Sequence, residues 1–225
     1  MATFVLIHGG GDVGWYWHLV EAELRRRGHD TLAPDLPCDD DSAGLAEYAD
    51  TVIHAAAGRG NLVVAAQSFG GFTAPLVAAR IPVAALVLVA GMIPAPGEAP
   101  DDWPANTGFD QVMRQQAQRY AGQDLIYHDV PTALAEQARS RSRDQSDTPG
   151  HAPWPLGAWP AVPTRFVLCT QDRFFPPDFM RRVVADRLGI VPDEIAAGHA
   201  VALSRPKELA SLLAQEGHQD LTGRS

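Results

Sequence analysis

Short apolar runs alternate with segments of helical periodicity along most of the chain. The runs predict strands over residues 3–8, 30–33, 61–66, 83–90, 164–170 and 190–196. The helical pattern predicts helices over residues 15–27, 44–57, 69–80, 178–188 and 206–215. Because the runs are continuously apolar instead of alternating, they are typical of parallel strands covered on both faces. We therefore predict an α/β fold, with a mostly parallel sheet of about six strands flanked by helices.

Residues 91–163 interrupt this rhythm. The segment is rich in proline and predicts a helical hairpin over residues 110–121 and 131–143. Polar and glycine-containing residues 140–150 predict a mobile loop. We interpret the segment as a small helical cap inserted after the fourth strand. In a parallel α/β sheet, a cap at this place covers the carboxyl ends of the strands, where sites are found.

The length of 225 residues is typical of one domain. We place the core at residues 1–90 and 164–217, with a flexible tail over residues 218–225. A net charge of −9 leaves no basic surface for nucleic acid or an anionic membrane. No apolar run approaches the roughly 18 residues of a membrane span, and the N-terminal residues lack the pattern of a signal peptide. We expect a cytoplasmic protein. Whether it forms a homodimer stays open at the level of the sequence.

The end of the third strand carries a candidate nucleophile. Ser68 follows the apolar run and precedes a helix, with Ala66 and Gly70 two positions away on either side. A serine between a strand and a helix, flanked by small residues at these positions, is typical of the G-x-S-x-G nucleophile elbow. Here alanine takes the place of the first glycine. The alternative interpretation is that Ser68 is an ordinary helix N-cap.

A glycine-rich loop follows the first strand. The residues His8, Gly9, Gly10 and Gly11 place backbone N–H groups near the elbow, where a carbonyl under attack needs donors for its developing charge. Gly10 and the residue after the nucleophile, Phe69, are the candidate oxyanion-hole donors. A phosphate loop of the G-x-x-x-x-G-K-[ST] type is disfavoured, because that motif does not occur there. A plain glycine turn is the remaining alternative.

A base and an acid follow the serine in chain order. His199 lies beside Gly198, after the last predicted strand. Asp172 follows the strand that ends near residue 170, which gives the order Ser…Asp…His. Its carboxylate would hold the imidazole in one tautomer. The alternative interpretation is that Asp172 is a turn or cap residue and that His199 is solvated. Cys38 and Cys169 fit no metal or redox spacing, and we expect no metal and no cofactor.

With these motifs in place, the sequence resembles the α/β-hydrolases. Within them it is similar to the compact branch of plant methylesterases and hydroxynitrile lyases with their bacterial relatives. The matching stretches are HGGGDVGWYW (8–17), PDLP (34–37), QSFGG (67–71), LCTQDRFFP (168–176) and AGHAVALSRP (197–206). The resemblance implies Ser68 as nucleophile, Asp172 as acid, His199 as base, and the Gly10 and Phe69 amides as oxyanion hole. It also implies that the cap covers a mostly apolar acyl pocket.

The chain departs from the lyases at two positions. In those enzymes a lysine follows the catalytic histidine and a threonine occupies the first loop, whereas this chain has Ala200 and Gly9-Gly10. Without a cation to receive cyanide, the esterase interpretation is favoured. We therefore expect a serine hydrolase that cleaves a small carboxylic ester through an acyl-enzyme. A non-catalytic ligand receptor and a lyase- or lactonase-type relative are the alternatives.

The pocket walls are expected to come from the first loop and from bulky aromatic residues. The candidate pocket residues are Gly9, Trp103, Phe109, Trp154, Trp159 and Phe174. Aromatic side chains in an insertion also serve as its own packing against the sheet. The choice between these two roles stays open at the level of the sequence.

Overall fold

Within residues 1–215, which the computed structural model describes, six strands form one sheet in which every neighbouring pair is parallel. The spatial order is β2-β1-β3-β4-β5-β6. The strands are β1 (Thr3–Ile7), β2 (Asp30–Leu32), β3 (Leu62–Gln67), β4 (Ala85–Val89), β5 (Thr164–Cys169) and β6 (Asp193–Ile195). This confirms the predicted α/β fold with a parallel sheet of about six strands.

Helices connect the strands and cover both faces of the sheet. They are a 3-10 helix (Gly14–Trp17), α1 (His18–Arg26), α2 (Leu45–Ala56), α3 (Gly70–Ala78), α4 (Trp103–Thr107), α5 (Phe109–Arg119), α6 (Thr132–Arg141), α7 (Thr148–His151), α8 (Pro177–Leu188), α9 (Val201–Ser204) and α10 (Pro206–Ala214). The single helix predicted over residues 15–27 is instead a 3-10 helix followed by α1. The periodicity also did not predict the short helices α4, α7 and α9. None of the helices in residues 1–215 is long and apolar enough to cross a membrane.

The central strands β1, β3 and β4 are almost wholly apolar because both of their faces are buried. Side chains alternate between the two faces of a strand, so neighbouring residues enter different cores. In β1, Val5 and Ile7 pack in the core with α2 and α3, whereas Phe4 and Leu6 pack on the opposite face with α1 and α10. The continuous apolar pattern is therefore the signature of a central, doubly covered sheet.

Residues 91–163 lie between β4 and β5 and contain α4 to α7. The expected mobile loop at residues 140–150 is instead anchored to the core loops. The Arg143 amide donates to the Gly11 carbonyl at 2.8 Å, and the Ser146 amide donates to the Cys38 carbonyl at 2.7 Å. Gln145 Oε1 accepts from the Gly11 amide at 2.9 Å. Polar composition predicted mobility, but these side chains and amides find partners in the loops after β1 and β2. The tail at residues 218–225 lies outside the described residues.

The carboxyl ends of the central strands meet at one edge of the sheet. The register pairs Ile7 with Ala66, and Gln67 with Val89. It also pairs Cys169 with Ile195 at the end of the sheet. The loops that follow β1, β3, β5 and β6 therefore lie side by side, and each of them carries one of the sequence-predicted functional residues.

We predict that Gly71→Ala strongly destabilises the protein. A Cβ at this position would lie 1.9 Å from the Met92 carbonyl oxygen, which is backbone and cannot move aside cheaply. We expect the free energy of unfolding to fall by about 2–3 kcal/mol in urea denaturation. Gly60→Ala is the matched control, because no atom lies within 4 Å of its Cβ position. Equal stability of the two variants would contradict this account of the turn.

Candidate active site

Ser68 occupies a strained turn between β3 and α3. Its φ of +50° lies in the left-handed region, which a residue other than glycine seldom adopts. The turn is held by its own carbonyl, which accepts from the Gly71 amide at 3.0 Å and the Met92 amide at 2.9 Å. Ser68 borders a cavity at the carboxyl edge of the sheet. The turn thus presents the hydroxyl-bearing residue at the cavity wall.

His199 and Asp172 form a buried pair beside this turn. His199 Nδ1 lies 2.8 Å from Asp172 Oδ2, and the two residues are 3% and 4% exposed. The other carboxylate oxygen accepts from the amides of Phe174 at 2.8 Å and Phe175 at 2.9 Å. Because the Asp172 carboxylate can only accept, Nδ1 of the neutral imidazole carries the proton and donates it to Oδ2. The lone pair of the ring is then on Nε2. His199 is therefore oriented as a base.

The side-chain amide of Gln67 contacts the Nε2 lone pair of His199. Its Nε2 lies 3.0 Å from His199 Nε2 and 3.5 Å from the His199 carbonyl oxygen. Among the described residues, no hydrogen bond joins Ser68 to His199. For His199 to accept a proton from Ser68, its Nε2 would have to exchange the amide of Gln67 for the hydroxyl of Ser68. The sequence signal for this role was a polar residue at the end of a buried strand, which requires a partner.

Gly10 and Phe69 lie next to each other on the cavity wall. A Cβ placed on Gly10 would lie 3.6 Å from Phe69 Cβ. Within residues 1–215, neither the Gly10 amide nor the Phe69 amide donates a hydrogen bond. Two backbone donors beside Ser68 thus have no protein acceptor, which is the arrangement that an oxyanion requires.

His8 fixes the loop that carries Gly10. Its Nδ1 donates to the Gly9 carbonyl at 2.8 Å, and its Nε2 accepts from the Leu36 amide at 3.0 Å. The acceptor role of Nε2 requires a neutral ring, and burial lowers the pKa of His8. Gly9 is required at the next position, because a Cβ there would lie 2.4 Å from Gln67 Oε1.

The cavity has a volume of about 300 Å³ and two chemically different sides. Three of the predicted pocket residues, Gly9, Phe109 and Phe174, line it. The lining residues that the sequence did not single out are Asp12, Tyr16, Gln67, Met92, Pro104, Ile126, Tyr127, Phe175 and Ala200. Several of them belong to loops and to the insertion, where no periodicity indicates which side chain faces the cavity.

The structure places Trp103, Trp154 and Trp159 outside the cavity lining. The Trp103 indole donates to the Ile93 carbonyl at 3.0 Å, and the Trp154 indole donates to the Phe72 carbonyl at 3.1 Å. Trp159 stacks on Trp154 and donates to Thr164 Oγ1 at 2.9 Å. Trp154 and Trp159 thus attach the insertion to α3 and β5, whereas Trp103 donates within the insertion and packs its ring against Phe175 and Phe179 of the core.

The insertion also supports the loop that carries His199. Asp129 Oδ2 accepts from the Gly198 amide at 2.7 Å, and the Ile126 carbonyl accepts from the Ala200 amide at 3.3 Å. Both neighbours of His199 are thus held by the same segment. A sequence pattern does not reveal this support, because the two partners are about seventy positions apart.

The described residues offer no site for a metal. No group of three or more His, Cys, Asp or Glu side chains in residues 1–215 is arranged to hold an ion. Cys38 and Cys169 are buried and unpaired by disulfide. Burial raises the pKa of both thiols, so neither is a reactive thiolate near neutral pH.

Asp12 is a half-buried carboxyl in the cavity wall. Burial raises its pKa from 3.8 to about 6, and nearby Asp35 raises it further, whereas a hydrogen bond from the Val13 amide lowers it. The folded protein therefore keeps the Asp12 proton at pH values where the unfolded chain has lost it. Stability from this group is present below about pH 4 and is lost as the pH rises towards about 6.

We predict that Asp12→Asn increases stability in a pH-dependent way. The amide stays neutral and can still accept from the Val13 amide. The free energy of unfolding of the variant should exceed that of the wild type by about 1–3 kcal/mol above pH 6, and the gap should close towards pH 4. Urea denaturation over this pH range measures the gap. Asp41→Asn is the control, because Asp41 is exposed. If its free energy of unfolding differed from that of the wild type with the same pH dependence, the explanation by burial of Asp12 would be contradicted.

Comparisons with known proteins agree with the fold. Residues 4–212 match the family model described as "Alpha/beta hydrolase family". The chain is 28% identical to Esterase PIR7B of Oryza sativa subsp. japonica, with 93% of each chain covered. It is 25% identical to Methylesterase 7 of Arabidopsis thaliana, with 93% of this chain and 94% of that protein covered. The crystal structure of polyneuridine aldehyde esterase superposes with a TM-score of 0.80 at 19% identity, and covers 96% of this chain and 99% of that one.

Proposed function

The chain belongs to the alpha/beta hydrolase family, and from this premise we propose that it is a serine esterase that cleaves small carboxylic esters. The observation that carries the proposal is the convergence of Ser68, a His199–Asp172 pair and two unpaired amides on one cavity. The named esterase and methylesterase relatives support the same reaction class. Residues 91–163 act as the cap, since they supply Pro104, Phe109, Ile126 and Tyr127 to the cavity.

In the first half of the reaction, Ser68 Oγ attacks the ester carbonyl while His199 Nε2 takes the hydroxyl proton. The carbonyl π electrons move to the oxygen, and the Gly10 and Phe69 amides bind the resulting oxyanion. Asp172 stabilises the imidazolium through its 2.8 Å contact with Nδ1. When the tetrahedral intermediate collapses, the C–O bond breaks and His199 returns the proton to the departing alcohol. Ser68 is left acylated.

In the second half, water replaces the alcohol. His199 Nε2 takes a proton from the water as its oxygen attacks the acyl carbon, and the same two amides bind the second oxyanion. Collapse breaks the bond to Ser68 Oγ, which regains its proton from His199. The acid leaves, and the free enzyme is restored without a net change in protons on the protein.

Lyase chemistry is not favoured by the residues around the base. Ala200 follows His199, is 1% exposed and lines the cavity, where the hydroxynitrile lyases carry a lysine. A cyanide leaving group would therefore meet no cation at that position. A receptor that binds an ester without turnover would have the same binding geometry. Measured rates of ester hydrolysis by the intact protein separate such a receptor from an esterase.

We predict that Ser68→Ala abolishes ester hydrolysis. The substitution removes the nucleophile, so kcat should fall by at least about 10³-fold on p-nitrophenyl acetate, butyrate and octanoate. Ser42→Ala, an exposed serine outside the cavity lining, is the control. Hydrolysis by Ser68→Ala at the wild-type rate would exclude Ser68 as the nucleophile. A folded wild type that binds esters without turnover would favour the receptor.

We predict that Asp172→Asn lowers kcat by about 10³- to 10⁴-fold without unfolding the protein. An amide at this position favours the His199 tautomer with its proton on Nε2, which cannot act as the base. The oxygen of the new side-chain amide can still accept from the Phe174 and Phe175 amides, so circular dichroism and the unfolding midpoint should change little. Asp178→Asn, whose side chain is 96% exposed on α8, is the control. Full activity of Asp172→Asn would assign the acid elsewhere.

A further inference from the structure

The two sides of the cavity come from the two cores of the sheet. Phe109 and Phe175, with the half-buried Met92 and Phe174, pack with the core of α2 and α3 and form an apolar side. The Phe109 and Phe174 rings are 5.4 Å apart, and Phe174 is 4.9 Å from the His199 ring. This side fits an aromatic or aliphatic arm of an ester.

The opposite side carries a carboxyl group and two phenols. Tyr16, Ile126, Tyr127 and Ala200 belong to the other core, and Asp12 lies with them, directly after the glycine loop. The Tyr16 amide donates to the carbonyl of Val13, the neighbour of Asp12, at 3.0 Å, and Asp12, Tyr16 and Tyr127 line the same cavity. The Tyr16 oxygen accepts from the Ala202 amide at 3.4 Å. An ester bound at Ser68 therefore meets an apolar side and an acidic side.

Asp12 has no cationic partner in the described part of the chain. Its Oδ1 accepts from the adjacent Val13 amide at 2.8 Å, and its Oδ2 receives no hydrogen bond from residues 1–215. The two arginines near this side are engaged elsewhere. Arg143 pairs with Asp35 at 3.0 Å and Asp39 at 3.5 Å, and Arg139 pairs with Asp124. A half-buried carboxylate without a partner is costly, and a bound cation would remove that cost.

We propose that Asp12 selects esters whose one arm carries a protonated amine, while the other arm is apolar or aromatic. The inference rests on the proposed esterase function and names its substrate class. A protonated amine donates a charge-assisted hydrogen bond to a carboxylate, which a neutral isostere cannot do. An overall charge of −9 also raises the local concentration of cations over anions.

The test uses isosteric ester pairs in which a single CH replaces the nitrogen. The first pair is 2-(dimethylamino)ethyl phenylacetate and 3-methylbutyl phenylacetate, in which the alcohol arm is varied. The second pair is benzyl 4-(dimethylamino)butanoate and benzyl 5-methylhexanoate, in which the acyl arm is varied. The ratio of kcat/KM within each pair is measured near neutral pH for the wild type, Asp12→Asn and the exposed control Asp41→Asn.

We expect the wild type and Asp41→Asn to prefer the amine in at least one pair by about 10- to 100-fold, since a hydrogen bond to a charged group is worth about 1.5–3 kcal/mol. In Asp12→Asn this preference should fall to near unity. A wild type without preference in either pair, or an Asp12→Asn variant that keeps it, would overturn the proposal.

A second measurement separates the proposal from the esterase function. The Ser68→Ala variant, with and without Asp12→Asn, is titrated with the same esters in a calorimeter. Tighter binding of the amine esters that depends on Asp12, together with no hydrolysis by the wild type, would refute the esterase and keep the cation site. Hydrolysis of the neutral esters, with equal binding of both members of each pair, would keep the esterase and refute the cation site.

Discussion

The left-handed turn at Ser68 is the constraint on which the rest of the site depends. It brings the nucleophile out of a buried strand and starts a buried helix within two residues, so the backbone of three elements must pass at close range. Gly70 lies against the His8 carbonyl, and Gly71 lies against the Met92 carbonyl. Because these contacts are backbone to backbone, the turn fixes the loops after β1 and β4 at the same time. The left-handed conformation at Ser68 is therefore held in place by the backbone of two neighbouring loops.

A chain of buried hydrogen bonds extends this fixed edge to the base. The amides of Phe174 and Phe175 hold Asp172, Asp172 holds His199, and His199 contacts Gln67, which directly precedes the turn. The network begins after β5, crosses to the loop after β6 and returns to the end of β3. Each polar group in it would be costly if it were left without a partner in the apolar interior. The hydrogen bonds that give these buried polar groups their partners therefore also orient the side chains that are proposed to react.

The sequence predicted the sheet and the order of the candidate triad, because both are encoded locally. Continuous apolar runs mark strands that are buried on both faces, and Ser68 and Asp172 each follow such a run, whereas His199 follows the short edge strand β6. The cavity walls were predicted less well. Trp103 and Trp154 are bulky aromatic residues of the kind that lines pockets, but their indole nitrogens donate to the buried carbonyls of Ile93 and Phe72.

Residues that act through distant partners left no sequence signal. Gln145 illustrates this, because polar composition predicts mobility, whereas its side chain bridges the Gly11 amide and the Tyr48 hydroxyl. Asp129 is a second case, since its role depends on an amide in the loop after β6. Such contacts are decided by where the folded insertion meets the core, and no local pattern of residues contains that information.

The contact between Gln67 and His199 gives the site a resting state that differs from its reacting state. An ordered amide on the lone pair keeps the base satisfied while the cavity holds no ester, and a buried base without any partner would be less stable. In the proposed mechanism Ser68 displaces that amide, so part of the binding energy of the substrate is consumed in exchanging one hydrogen bond for another. Esters that fill both sides of the cavity have the most binding energy to apply to this exchange. In the proposed mechanism, selectivity at the cavity walls and reactivity at Ser68 are in this way coupled through Gln67.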